Sequence, residues 1–314
     1  MEDLFRLFGL NLLGPTLRLA TPILLAGLGG LFTQQAGILN IALEGLMLMA
    51  AFAGAATAYW TGDPWLGLLA GILASTLLAS VFGLFSIRLK ADLVVVGIAI
   101  NLFAAGATVV LLQRFFNTKG SFAPGARLPN VRIEAIQDVP VLGHLFGQQN
   151  ILVYFGLVLI AVAHVVLYRT PFGLRVRAVG ENPEAAETAG INVGRVQFVT
   201  VLISGVLCGM AGVNLSLGYL SQYSSNMTSG RGFIALAAQT FGAATPVGTA
   251  LASLFFGLAD ALSVRLQTRG LPSEFVLMIP YLATILALVL VARRRTLGGR
   301  RRATTEADQA EARL

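Results

Sequence analysis

Long apolar stretches separated by short polar segments make up most of the chain, and we predict nine of them to be membrane helices. A spanning helix needs about 20 mostly apolar residues. The predicted segments are 17–32, 46–59, 66–87, 93–112, 151–168, 196–219, 233–244, 249–264 and 275–292. Residues 4–13 are apolar but too short to span alone, so the sequence leaves nine or ten crossings. The pattern predicts an all-α, polytopic integral membrane helix bundle.

Two longer polar regions interrupt the apolar pattern. Residues 113–150 contain three prolines and little helical periodicity, which is typical of an extramembrane loop. Residues 169–195 carry four arginines, and seven more lie in the tail at 293–314. Because positive charge accumulates on the cytoplasmic side, we predict that 169–195 and the C-terminus are cytoplasmic and that 113–150 is extracytoplasmic. The transmembrane domain then covers residues 1–292, and the acidic end of the basic tail is predicted to be disordered.

The polar region 169–195 predicts one short helix. Asn182 followed by Pro183 is a helix start, since Pro fits the first turn where its missing N–H is not needed. Glu184 and Glu187 suit the positive end of the helix dipole, and Gly190 ends the helix. A helix of about two turns is unstable alone in water, so it should dock on another protein surface.

The composition excludes several classes of protein and of binding site. Hydrophobic residues make up 56% of the chain and charged residues 12%, against about 25% charged in soluble domains. The net charge of +7 does not indicate nucleic-acid binding, because the basic residues lie mainly at segment ends. The single Cys208 and the distant His144 and His164 predict no disulfide and no metal site, and no Walker A motif is present.

Polar residues close to the apolar segments are candidates for a substrate path. Asn40 and Glu44 lie in the polar segment 33–45, interpreted either as a non-helical break lining the path or as an interfacial loop in which Glu44 caps the next helix. Asn101 and Gln239 lie within predicted spans. Their amides suit a neutral polar solute, but helix-to-helix hydrogen bonding is the more common role of such residues.

Two further features concern the second half of the chain. Asp260 lies in the eighth segment, where we predict an ion pair with nearby Arg265. The run from Ala36, AGILNIALEG, resembles the run from Ser229, SGRGFIALAA. With the predicted topology the two runs start on opposite sides, which indicates an inverted repeat with broken helices.

Three motifs together resemble a known family. They are QAGILNIALEGLMLMAA from Gln35, RAVGENPEAAETAGINVGR from Arg177 and GRGFIALAA from Gly230. In this order they resemble permease subunits of bacterial ABC importers of the branched-chain amino acid and simple sugar permease superfamily. The first motif is similar to the nucleoside-importing branch, whereas ribose-type permeases tend to carry G-G-I-D-L-S at that place.

The resemblance implies partners and a coupling segment. The helix in 169–195 looks like the coupling helix that sits in a groove of the cytoplasmic ATPase subunit. The residues that match the family's motif there are Gly180, Glu181, Asn182, Pro183, Ala185, Ala186, Ala189 and Gly190. A second permease chain and an extracytoplasmic binding protein or lipoprotein are also implied, in a plasma or inner membrane. No cofactor and no catalytic residue are expected.

The sequence therefore predicts a permease subunit that forms the path for nucleosides, while a separate subunit hydrolyses ATP. A simple-sugar importer is the alternative within the same class. An ion-coupled secondary transporter would leave the docking helix unexplained, and a membrane enzyme would need a catalytic constellation that the sequence does not contain.

Overall fold

A computed structural model describes residues 12–118, 120–132 and 147–267. The predicted segments 4–13 and 275–292 and the tail 293–314 lie wholly or almost wholly outside these residues. The helices are α1 Leu13–Gln35, α2 Leu43–Thr61, α3 Pro64–Gly83, α4 Leu93–Phe116, α5 Ile151–Arg169, α6 Pro171–Glu181, α7 Pro183–Thr188, α8 Val193–Val213, α9 Arg231–Phe241 and α10 Pro246–Gln267. Helices α3 and α8 each continue into a wider π-helical turn, Leu84–Arg88 and Asn214–Tyr219.

The described part of the chain contains seven helices long and apolar enough to cross a membrane. They are α1 to α5, α8 and α10, which confirms the corresponding predicted segments. In lipid, a helix is favoured because every internal backbone group is hydrogen-bonded within the segment. The chain is therefore a multi-pass membrane protein of the all-α class.

Helix α1 lies at the centre of the bundle and α4 at its periphery. Of the 18 most apolar consecutive residues, 94% are buried in α1 and 22% in α4. Helices α2, α3 and α8 pack around the centre through small residues. A Cβ atom at Gly67 of α3 would lie 2.7 Å from the carbonyl oxygen of Gly54 of α2. Glycine therefore permits the backbone approach on which packing within lipid depends.

The predicted seventh segment, 233–244, is nearly right in length, but it is too short to cross a membrane alone. Helix α9, Arg231–Phe241, has 11 residues, which extend over about 16 Å, about half of a bilayer's apolar thickness. The break predicted at 33–45 is shorter than expected, because α1 continues to Gln35 and α2 begins at Leu43. The chain thus contains a short non-helical break, residues 36–42, and a short helix, α9, as a broken-helix bundle requires.

Side chains of Asp and Asn begin five of the helices. Asp63, Asp92, Asn150, Asn182 and Asn192 each accept a hydrogen bond from a backbone N–H in the first turn of the following helix. Such N-caps are worth about 1 kcal/mol each. They fix where the chain leaves each loop and enters the bundle.

Short strands lie in and near the predicted loop 113–150, of which residues 113–116 are still helical. Strand β1, Ser121–Phe122, pairs antiparallel with β4, Tyr223–Ser224. Strand β2, Asn130–Arg132, pairs antiparallel with β3, Gln148–Asn150. These pairs connect the loop to the ends of α5 and α8.

The chain divides into two compact units, residues 1–261 and 262–314. The candidate site and the cavity of this chain lie in the first unit. Of the second, the described part is only 262–267, the end of α10.

Candidate functional site

The non-helical break between α1 and α2 is held by Asn40. Its Nδ2 donates to Ser204 Oγ of α8 at 3.0 Å, and its Oδ1 accepts from the backbone N–H of Ala42 at 3.1 Å. Asn40 is fully buried. Ser204 lies 11 residues into α8, about 16 Å from its first residue. The break therefore enters the bundle and is tied to the interior of α8.

Glu44 caps a helix, but not its own. Its two carboxylate oxygens accept hydrogen bonds from the backbone N–H groups of Gly230, at 2.8 Å, and Gly232, at 2.6 Å. Both belong to the start of α9, where Gly230 adopts a left-handed backbone with φ 82°. The first N–H groups of a helix have no partner within it, and the helix dipole favours an anion there. Glu44 thus fastens α9 to the first turn of α2, and the expectation that it caps α2 is wrong.

Asn101 of α4 also binds this region through both ends of its amide. Its Oδ1 accepts from the backbone N–H of Gly45 at 2.7 Å, and its Nδ2 donates to the carbonyl of Ile41 at 2.9 Å. The side chain therefore bridges the last residues of the break and the first turn of α2. This is the packing role that the sequence left open.

Gln239 differs from the other three candidates. It is fully buried on α9, yet neither its Oε1 nor its Nε2 has a hydrogen-bond partner among the described residues. Its amide lies directly against Gly30 of α1, where any side chain would occupy the same space. A buried amide without a partner costs about 1–3 kcal/mol per polar group. All four predicted path residues thus lie around the break, and Gln239 alone keeps a free amide there.

Helix α9 is fixed at a second point by an ion pair. Arg231 Nη2 lies 3.5 Å from Asp260 Oδ2 of α10, and both side chains are largely buried. The prediction named Arg265 because it is close along the chain. In the structure Asp260 pairs with Arg231 of α9, so the acid joins α9 to α10, and the pair with Arg265 stays a prediction.

The predicted coupling helix is α7, and its ends are as expected. Asn182 Oδ1 accepts from the backbone N–H of Ala185 at 3.0 Å, Pro183 is the first helical residue, and Gly190 has φ 80°. The exposed predicted residues of this segment are Gly180, Glu181, Asn182, Pro183, Ala185, Ala189 and Gly190. Ala186 is buried instead. It packs with Val179 and Val193, so it fixes α7 on α6 and α8.

Close contacts connect this segment to the end of α1. A Cβ atom at Gly180 would overlap the carbonyl oxygen of Gln35, so only glycine permits this approach. Gln197 Nε2 of α8 donates to the carbonyl of Ala36 at 3.2 Å. Gln35 Nε2 in turn donates to the carbonyl of Ala244, just after α9, at 2.6 Å. The coupling segment, the break and α9 therefore form one contiguous set of contacts.

Several residues of this set carry no signal in the sequence. Ser204 and Gln197 are isolated polar residues in an apolar helix, a pattern that indicates packing as readily as function. In the described ranges, no three His, Cys, Asp or Glu side chains converge to hold a metal ion. The group that this site offers to a ligand is the buried amide of Gln239, beside the break between α1 and α2.

Comparisons with known proteins agree on the class of protein. Residues 12–291 match the family described as branched-chain amino acid transport system, permease component. The guanosine ABC transporter permease protein NupQ of Bacillus subtilis is 37% identical, over 87% of this chain and 89% of its own length. The nucleoside ABC transporter permease protein NupC of Lactococcus lactis is 38% identical, over 86% and 89%.

A solved structure of an ABC transporter in an inward-facing conformation shares the fold. It is 13% identical, with a TM-score of 0.53, and the match covers 89% of this chain and 84% of that one. The family match, residues 12–291, spans all of the described helices. The protein belongs to the family of branched-chain amino acid transport system permease components.

Proposed function

We propose that the chain is the permease subunit of an importer that carries nucleosides across the membrane, driven by a separate ATPase. The observation that carries the proposal is the identity of 37% and 38%, over most of the chain, to permeases named for guanosine and for nucleosides. The predicted resemblance to the nucleoside-importing branch supports the same substrate class.

The exposed surface of α7 is where the ATPase subunit docks. Its small side chains allow close approach, and its base is rigid because Ala186, Val179 and Val193 pack beneath it. A helix of 6 residues is not stable alone. It needs both this base and a partner groove. Residues 169–195 and the C-terminus are accordingly cytoplasmic, as the charge distribution supports.

Movement of α7 reaches the substrate path through contacts at the end of α1 and the start of the break. The Gly180–Gln35 contact and the Gln197–Ala36 hydrogen bond join the coupling segment to the break between α1 and α2. From there Asn40 and Glu44 connect the break to α8 and α9. A displacement at the ATPase surface is thus transmitted to the residues around the break.

Of the four predicted path residues, Gln239 is the one whose amide binds the substrate. The carboxylate of Glu44 is already bound by two N–H groups of α9, so it positions α9. Asn40 and Asn101 position the break in the same way. Gln239 keeps both a donor and an acceptor for a neutral solute such as a nucleoside. A second permease chain completes the path, and an extracytoplasmic binding protein or lipoprotein delivers the substrate.

Uptake of labelled uridine and adenosine tests the proposal in cells that express the chain with its operon partners. We expect nucleoside uptake that survives excess ribose and stops when ATP is depleted. Uptake of labelled ribose without nucleoside uptake would keep the ABC importer and change the substrate to a simple sugar. Uptake that persists without ATP but depends on an ion gradient would overturn the importer class.

A further inference from the structure

A polar cavity of about 220 Å³ lies away from the break, beside the strand pair β2–β3 and the π-helical turn that ends α8. We call it the amide-floored cavity, because the buried side chains of Asn150 and Asn214 line it together with Arg18 and Arg127 near its opening. The starts of α1 and α5 and the end of α8 meet here. This is the side predicted to be extracytoplasmic, opposite α7.

The floor of the cavity presents amide donors that have no partner in the described residues. Asn150 is 5% exposed and Asn214 is 2% exposed, and the Nδ2 atom of each is unpartnered. Asn150 Oδ1 accepts from the backbone N–H of Leu152 at 2.8 Å as the N-cap of α5. This bond fixes which end of the amide is free, so the NH2 group of Asn150 needs an acceptor from elsewhere.

Two guanidinium groups supply positive charge near the opening. Arg18 is held by its Nε, which donates to Gln149 Oε1 at 2.8 Å. Arg127 is exposed on the loop that precedes β2. Among the described lining residues none is acidic, so the surroundings of the cavity attract an anion. Guanidinium groups match the oxygens of phosphate in geometry and charge.

We propose that the amide-floored cavity binds a phosphate group, with its oxygens accepting from the amides of Asn150 and Asn214 and its charge neutralised by Arg18 and Arg127. A neutral nucleoside would not need two guanidinium groups, so this site is separate from the substrate path. Free inorganic phosphate and the headgroup of an anionic phospholipid have the same recognised chemistry. The cavity is larger than one phosphate ion, and this leaves room for either.

Thermal unfolding of the purified transporter complex in phosphatidylcholine nanodiscs tests the site. We expect sodium phosphate to raise the Tm of the wild-type complex above its value in sodium chloride of equal ionic strength. Phosphate also stabilises proteins by exclusion from their surface, so the matched variants Arg127→Gln and Arg132→Gln decide the result. Arg132 lies in β2, outside the lining of the cavity.

Arg127→Gln should raise the phosphate concentration needed for a given increase in Tm about tenfold or more, because it removes a charged hydrogen-bond donor. Its Tm in chloride should stay that of the wild type. Arg132→Gln should keep the wild-type response. Phosphate can have no effect while phosphatidylglycerol in the disc raises the Tm of the wild type but not of Arg127→Gln. In that case the phosphate group comes from a lipid headgroup. Equal responses of both variants, or no response to either anion source, would overturn the proposal.

Discussion

The bond between Glu44 and the start of α9 makes the sharpest prediction, tested by Glu44→Ala. The carboxylate accepts two backbone N–H groups at 2.8 and 2.6 Å and is 8% exposed. Each buried donor left without a partner costs about 1–3 kcal/mol. Removing the carboxylate also removes its own desolvation cost. We therefore expect a net loss of about 2–4 kcal/mol in the free energy of unfolding.

Glu44→Gln separates the contribution of the hydrogen bonds from that of the negative charge. It keeps one acceptor oxygen but places an NH2 group opposite the second N–H and removes the negative charge from the helix start. The decrease in the free energy of unfolding should therefore be about half that of Glu44→Ala. The order wild type, Glu44→Gln, Glu44→Ala is the expected ranking of stability.

Thermal unfolding of the detergent-purified chain, followed by circular dichroism, measures these differences. A loss of about 2–4 kcal/mol corresponds to a decrease in Tm of roughly 3–6 °C at this chain length. Glu187→Ala is the control, because Glu187 is an exposed acid of α7. If Glu44→Ala lowers the Tm no more than Glu187→Ala does, Glu44 does not hold α9 and the reasoning fails.

Four other substitutions test the same set of contacts. Gly180→Ala should lower the Tm of the isolated chain, because its Cβ overlaps the carbonyl of Gln35; an unchanged Tm would contradict that contact. Asn182→Ala removes the cap of α7 and should cost about 1 kcal/mol of local helix stability, seen as faster amide hydrogen exchange in α7 than in the wild type. Asn101→Ala should lower uptake and complex yield together, since it breaks two bonds that position the break. Gln239→Leu should instead lower nucleoside uptake at unchanged yield, because its amide holds no protein partner; equal uptake by Gln239→Leu and wild type would remove it from the path.

The sequence predicts most helix positions well because lipid leaves few alternatives to helix. An apolar stretch must satisfy its backbone internally, so the segments 66–87 and 151–168 agree with α3 and α5 to within a few residues. The start of α7 was also predictable, because Asn182–Pro183 is a local signal for a cap and a first turn. Both predictions need only neighbours along the chain.

The errors come from contacts between distant residues. Glu44 binds Gly230, 186 residues away, and a carboxylate before an apolar helix favours capping of that helix when sequence is the only guide. Asp260 likewise pairs with Arg231 of another helix, which its sequence neighbours do not indicate. The predicted segment 233–244 agrees with the short α9 to within a few residues, but the sequence does not show that Glu44 holds the start of this helix.

The central claim is that the ATPase subunit docks on the exposed surface of α7. Gly180→Trp would test docking poorly, because the same substitution breaks the contact with α1 within the chain. Ala185 is exposed on α7, so Ala185→Trp changes only that surface. Ala105→Trp, on the exposed face of α4, is the matched control.

Co-purification of the ATPase with the tagged permease is therefore the most direct measurement. We expect that Ala185→Trp loses the ATPase and ATP-driven uptake while the Tm of the isolated permease stays that of the wild type, and that Ala105→Trp keeps the ATPase. Full recovery of the ATPase with Ala185→Trp would contradict the account.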